Sequence, residues 1–92
     1  MVDWHDRARD RLADLWVAAT PEERVAIERA VHEINARLAT DPAFLGEEMR
    51  PGERVWFHHP LVVRYRLIPG GGVKVLHVAR LRPWRPDADG DG

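Results

Sequence analysis

Four consecutive residues, Pro69-Gly70-Gly71-Gly72, separate two alternating apolar and polar runs, and this junction constrains the chain more than any other feature. Proline pre-sets one turn dihedral and glycine accepts positive φ at no steric cost, so Leu61–Ile68 and Val73–Arg82 are expected to fold back as an antiparallel hairpin. In the first strand Leu61, Val63, Tyr65 and Leu67 share one face, while Val62, Arg64, Arg66 and Ile68 share the other, because successive side chains point to opposite sides. The second run is apolar on both faces in its middle, the composition of an interior strand. Upstream, His59-Pro60 breaks the pattern and leaves Arg54–His58 as a further strand. Residues 42–52 contain Pro42, Gly46, Pro51 and Gly52 with no sustained period and read as a loop.

The first half follows a different period. Trp4, Ala8, Leu12, Leu15, Trp16 and Ala19 recur at helical spacing with charged residues on the other faces, which predicts a helix over 4–19. At Thr20-Pro21-Glu22-Glu23 a capping box begins a second helix with proline at its first position. Its stripe of Ile27, Ala30, Val31, Ile34 and Leu38 runs to Asp41-Pro42, where the residue before proline avoids helical geometry. So short a linker turns the two helices into an antiparallel hairpin that covers the Leu61, Val63, Tyr65 and Leu67 face. The fold class expected is α+β, an N-terminal helical hairpin packed on one face of a C-terminal antiparallel β-sheet. Residues 1–86 form one domain on this reading, and 87–92 form a disordered acidic tail because no large apolar side chain anchors them.

The chain has 92 residues, 45% of them hydrophobic, and includes four tryptophans, enough for one core. With no cysteine, disulfides, thiolate metal sites and thiol nucleophiles are all excluded. No apolar run is long enough to span a membrane, and the charged stretch Met1 to Arg11 lacks the core of a signal peptide, so a cytoplasmic location is expected.

The formal charge of −1 conceals a division along the chain. Residues 1–49 carry 6 basic and 11 acidic side chains, whereas residues 50–86 carry 8 basic and 1 acidic. Arg50, Arg54, Arg64, Arg66, Lys74, Arg80, Arg82 and Arg85 thus form a candidate surface for phosphates or an acidic partner. The competing reading is a solvated sheet face. Among the histidines, His58 and His59 are adjacent and point to opposite faces of a strand, and His77 reads as a hydrogen-bonded interior side chain. No metal centre is expected from a histidine set without cysteine or a tight acidic pair, and no cofactor is indicated. Trp16 belongs to the core stripe, while Trp56 and Trp84 either cover the edges of a small core or stack on a base.

Taken in order, several segments resemble the RelE/ParE superfamily of toxins from bacterial toxin–antitoxin (TA) pairs. They are Trp4, Ala8, Leu12 and Leu15-Trp16; Ala30, Ile34, Leu38 and Asp41-Pro42; Gly52 and Arg54; Pro60 to Tyr65; and Val73 to Val78 followed by Arg80 and Arg82. The resemblance implies a short first strand, for which Met1-Val2-Asp3 alone gives no pattern, then a helical hairpin and an antiparallel sheet with a basic concave face. It implies a toxin, of the kind linked to plasmid stabilisation, restrained by an acidic antitoxin protein. Some relatives cleave messenger RNA on the ribosome and others poison DNA gyrase, so an mRNA endoribonuclease and a non-nucleolytic gyrase poison or binding module both stay open. For RNA cleavage the resemblance points to Arg64, Arg80 and His58 as catalytic groups, with Arg54, Arg66, Lys74, Arg82 and Trp84 contacting phosphate or RNA. Two positions depart from the nuclease pattern. Val62 and Val63 occupy the stretch where nuclease members have arginine, and Trp84 stands where they carry tyrosine or histidine.

Overall fold

The computed structural model describes residues 1–81. Arg82, Trp84, the boundary expected at residue 86 and the tail expected at 87–92 lie outside the described residues. The order of elements is β1 (Val2–Trp4), α1 (Asp6–Val17), α2 (Pro21–Thr40), a 3-10 turn (Pro42–Phe44), β2 (Glu47–Arg50), β3 (Glu53–His58), β4 (Leu61–Leu67) and β5 (Val73–Arg80). The strands form one sheet in the order β1-β5-β4-β3-β2. Neighbours are antiparallel except β1 and β5, which run parallel, so the sheet is mixed.

The helical hairpin forms as its sequence dictates. Thr20 and Glu23 complete the reciprocal capping box, with the Thr20 amide donating to Glu23 Oε1 at 2.8 Å and the Glu23 amide donating to Thr20 Oγ1 at 3.2 Å. Arg24 reaches back to donate to the Trp16 and Val17 carbonyls at 2.9 and 3.1 Å, satisfying acceptors that the end of α1 leaves open. Its guanidinium lies 4.2 Å from the centre of the Trp16 ring. Both helices pack on one side of the sheet. Ile27, Ile34 and Leu38 of α2 join Leu61, Val63, Tyr65, Val75 and Val78 in the fully buried core, each large apolar side chain contributing roughly 1.5–3 kcal/mol through burial.

Three local expectations are corrected. The first helix does not begin at Trp4: Val2–Trp4 pairs with Val73–Val75, and His5 caps α1 by accepting from the Arg7 amide. Trp4 is nevertheless a core residue, its indole N–H donating to Asn35 Oδ1 of α2 at 2.8 Å. Residues 42–52 are not a single loop, since they hold the 3-10 turn and β2. All four residues of β2 are exposed, so it carries no apolar alternation and is held by backbone pairing to β3. The third correction concerns β5, where Arg64 pairs with His77 but Tyr65 pairs with Val75, leaving Leu76 as an extra residue. Such a bulge reverses the inward and outward alternation. Val73 and Val75 face the core before it, and Val78 and Arg80 face the helices after it. His77, expected inside, is exposed on the opposite face.

Candidate functional site

The register across four strands, β1, β5, β4 and β3, arranges the sheet face away from the helices into rows, because paired residues point to the same side. Nearest the glycine turn is a charged row of Asp3, Lys74, Arg66 and Glu53. It neutralises itself, with Lys74 Nζ 3.2 Å from Asp3 Oδ2 and Arg66 3.3 Å from Glu53 Oε2. The Lys74 ammonium, by hydrogen bond and charge, holds the Asp3 carboxyl below the usual aspartate range, with Arg9 adding to the effect. The middle row is His77, Arg64 and Val55, and the row beyond it is Ala79, Val62 and Phe57. Among the described residues no helix packs on this face.

Arg64 differs from the other arginines and the lysine of β3, β4 and β5. It is exposed and, among the described residues, its guanidinium meets no carboxylate and no hydrogen-bond acceptor. An arginine fork without a carboxylate is free to take a phosphate, to which it can donate two parallel hydrogen bonds. Beside it, the exposed His77 places an imidazole on the same face.

The remaining predicted residues divide between the two sides of the sheet. Arg66 and Lys74 share the face of Arg64 but are bound in the charged row. Arg54, His58 and Arg80 pair with Tyr65, Leu61 and Leu61 respectively, and so lie on the helix side. Arg54 donates to the carbonyls of Leu45 and Gly46 at 2.7 and 3.0 Å and sits 4.0 Å from Glu48, which makes it a clamp on the segment before β2. Tyr65 holds the same segment, its hydroxyl lying 2.6 Å from the Pro42 carbonyl oxygen and 3.0 Å from that of Leu45. Burial raises the phenol pKa against the opposing pull of the Arg54 cation. His58 bonds Glu33 of α2 at 3.2 Å and lies against Trp56 with ring centres 4.9 Å apart. Arg80 pairs with Glu23 Oε2 of α2.

The six described candidates therefore do not surround one phosphate. Among the described residues, three cations of the second half are paired with carboxylates from residues 1–49, Arg54 with Glu48, Lys74 with Asp3 and Arg80 with Glu23, and the His58 imidazole lies 3.2 Å from Glu33. Two residues of the open face, His77 and Phe57, were not among the sequence candidates. Phe57 carried a usable signal, since pairing across His59-Pro60 sets it beside Val62 on the face of Arg64. His77 carried none, because only the bulge turns it outward. On the other side of the molecule, the helices border an apolar groove of about 600 Å³ lined by Trp4, Leu12, Trp16, Val17, Ile27 and Val31. No helix among the described residues is long and apolar enough to cross a membrane.

No protein-family model and no curated protein matches the chain. Solved structures do. The chromosomal ParDE TA system from P. aeruginosa superposes with a TM-score of 0.68 at 19% identity, covering 88% of this chain and 95% of that one. The isolated E. coli RelE toxin superposes with a TM-score of 0.62 at 14% identity, covering 99% of this chain and 94% of that one.

Proposed function

Because the chain has the fold of the ParE and RelE structures, we propose that it is the toxin component of a toxin–antitoxin pair and acts on messenger RNA through the Arg64 and His77 face. One observation carries the reading: of the arginines and lysine on β3, β4 and β5, Arg64 is the one left without a carboxylate among the described residues, and its register partner is an exposed histidine. Cleavage of RNA at its 2′-hydroxyl forms a bond from that oxygen to phosphorus and breaks the bond to the 5′-oxygen. The step requires a base for the hydroxyl proton, a cation for the crowded phosphate and an acid for the leaving oxygen. Arg64 fills the second role and His77 one of the two proton transfers, the other falling to water or to the ribosome. Arg80 and His58, tied to Glu23 and Glu33 behind the sheet, serve to join α2 to the strands.

An acidic antitoxin segment would neutralise the Arg64 face, while the apolar groove between the helices suits the nonpolar side of an amphipathic partner. Residues 1–86 then form the toxin domain and the protein works in the cytoplasm. Induced expression in growing cells, followed by primer extension on transcripts, tests the proposal. Growth arrest with new message ends that vanish in Arg64→Ala and His77→Ala supports it, and arrest with intact messages overturns the nuclease reading. A second reading, a gyrase poison or a binding module without catalysis, is favoured by Val62, which stands where the resemblance to nuclease members implies arginine. Supercoiling assays with purified protein distinguish the two, since a poison leaves cleaved DNA complexes.

A further inference from the structure

Phe57 is a large apolar side chain left 64% exposed, and its position follows from the sheet register. β2 pairs with β3 only over Glu53–Val55, so among the described residues the outer edge of the segment bearing Phe57 has no strand beside it. Across β3 and β4 Phe57 pairs with Val62, and Val62 pairs with Ala79. Both neighbours are shorter than the phenylalanine ring, so on the strand side nothing in its row stands as high. Arg64 belongs to the adjacent row, diagonal to Phe57, a relation that lets long and aromatic side chains act on one ligand. A flat aromatic surface thus lies one step from an unpaired guanidinium, in a row whose other members, Val62 and Ala79, are short.

We propose that Phe57 is a stacking platform for a nucleobase of single-stranded RNA whose adjoining phosphate is held by Arg64. This rests on the RNA reading of the same face. A base in a duplex keeps its stacking partners and offers the ring nothing, whereas an unpaired base exposes its π-face, so the patch selects single strands and tolerates any base. Arg64 supplies charge, Phe57 supplies contact with the base, and the two contributions separate under salt. Phosphate contacts release counterions and weaken as salt rises, while stacking does not.

Fluorescence anisotropy with the full chain and a short labelled single-stranded RNA, alongside an abasic oligonucleotide of the same length, reads both contributions across a salt series. Phe57→Ala is expected to weaken RNA binding about tenfold, to leave abasic binding unchanged and to keep the salt slope. Phe57→Trp restores affinity. Arg64→Ala weakens both oligonucleotides and lowers the salt slope by about one. Equal binding of RNA and abasic strand by the wild type, or an unchanged affinity in Phe57→Ala while Arg64→Ala still weakens binding, overturns stacking and leaves the phosphate contact standing. Failure of the wild type to bind either oligonucleotide overturns both. Should Phe57→Ala leave RNA affinity intact and instead loosen the complex with a protein antitoxin, the residue is a protein contact and the proposal is wrong. Matching thermal unfolding curves for Phe57→Ala and the wild type confirm that a lost affinity is not lost structure.

Discussion

Arg64 on β4 and His77 on β5 face one another as register partners on the side of the sheet opposite the helices. The bulge at Leu76 creates the pair, because without the extra residue His77 would continue the inward series of Val73 and Val75. A guanidinium and an imidazole are thereby placed side by side on adjacent strands.

Exposure of both side chains makes their removal structurally inexpensive. Arg64→Ala and His77→Ala are expected to change folding stability by no more than about 0.5 kcal/mol, as is usual for surface positions. Chemical denaturation checks this expectation, and a loss above about 2 kcal/mol would assign the pair to the scaffold.

Glu23 performs two tasks with its two carboxyl oxygens, accepting from the Thr20 amide with one and pairing with Arg80 through the other. Glu23→Gln retains an acceptor for the cap and loses the charge, so the cost is that of a partly exposed ion pair, below about 1 kcal/mol. Glu23→Ala loses the cap interaction as well and should cost about 1–2 kcal/mol. Urea unfolding midpoints of the two variants would separate the tasks, and equal midpoints would show that the cap contributes nothing.

Tyr65 connects the core to the segment before β2. Replacing it with Phe removes the donor to the Pro42 carbonyl, while the Leu45 carbonyl keeps its bond from Arg54, and should cost about 1–2 kcal/mol at neutral pH. Its pKa is raised in the folded protein above the ordinary 10.0. The folded state therefore binds the phenolic proton more tightly than the unfolded one. Stability from this source is complete below the unfolded value and is lost as pH rises through the folded value. The difference in stability between wild type and Tyr65→Phe should narrow above about pH 10, the ordinary tyrosine value. Unfolding measured on both proteins across that range checks it, and a constant difference would refute the assignment.

Gly46 sits at φ +61°, and a Cβ built there would overlap the Val55 carbonyl oxygen. The obstruction is backbone in β3, which cannot rotate aside. Gly46→Ala is expected to cost more than about 2 kcal/mol and to loosen β2, combining steric overlap with an unfavourable dihedral. Amide hydrogen exchange of Glu47–Arg50 would report the loosening directly. Protection equal to that of the wild type would show that the segment accommodates the methyl group.

Legibility in the sequence followed the range of each signal. Both helices, their capping box, the Gly-rich reversal and the inward face of β4 are recorded in spacings of a few residues, and the structure contains all of them. β1 was too short to show a period, and β2 is exposed throughout, so neither had an apolar pattern to read. For the candidate site, Arg64 and Arg66 were correctly assigned to one face by alternation along β4. Arg80 was not, because the bulge lies between it and the residues from which the alternation was counted.

Local order was thus the province of the chain itself: where it turns, which stretches coil and which extend, and which side of β4 is apolar. What the tertiary structure alone decided was which charges remain available. Whether a cation is free depends on carboxylates far along the chain but close in space, as Glu23 is to Arg80 and Asp3 is to Lys74. Spacing within a strand or helix encodes contacts with the nearest turn or the opposite face, and it holds no information about such distant partners or about one extra residue in a ladder.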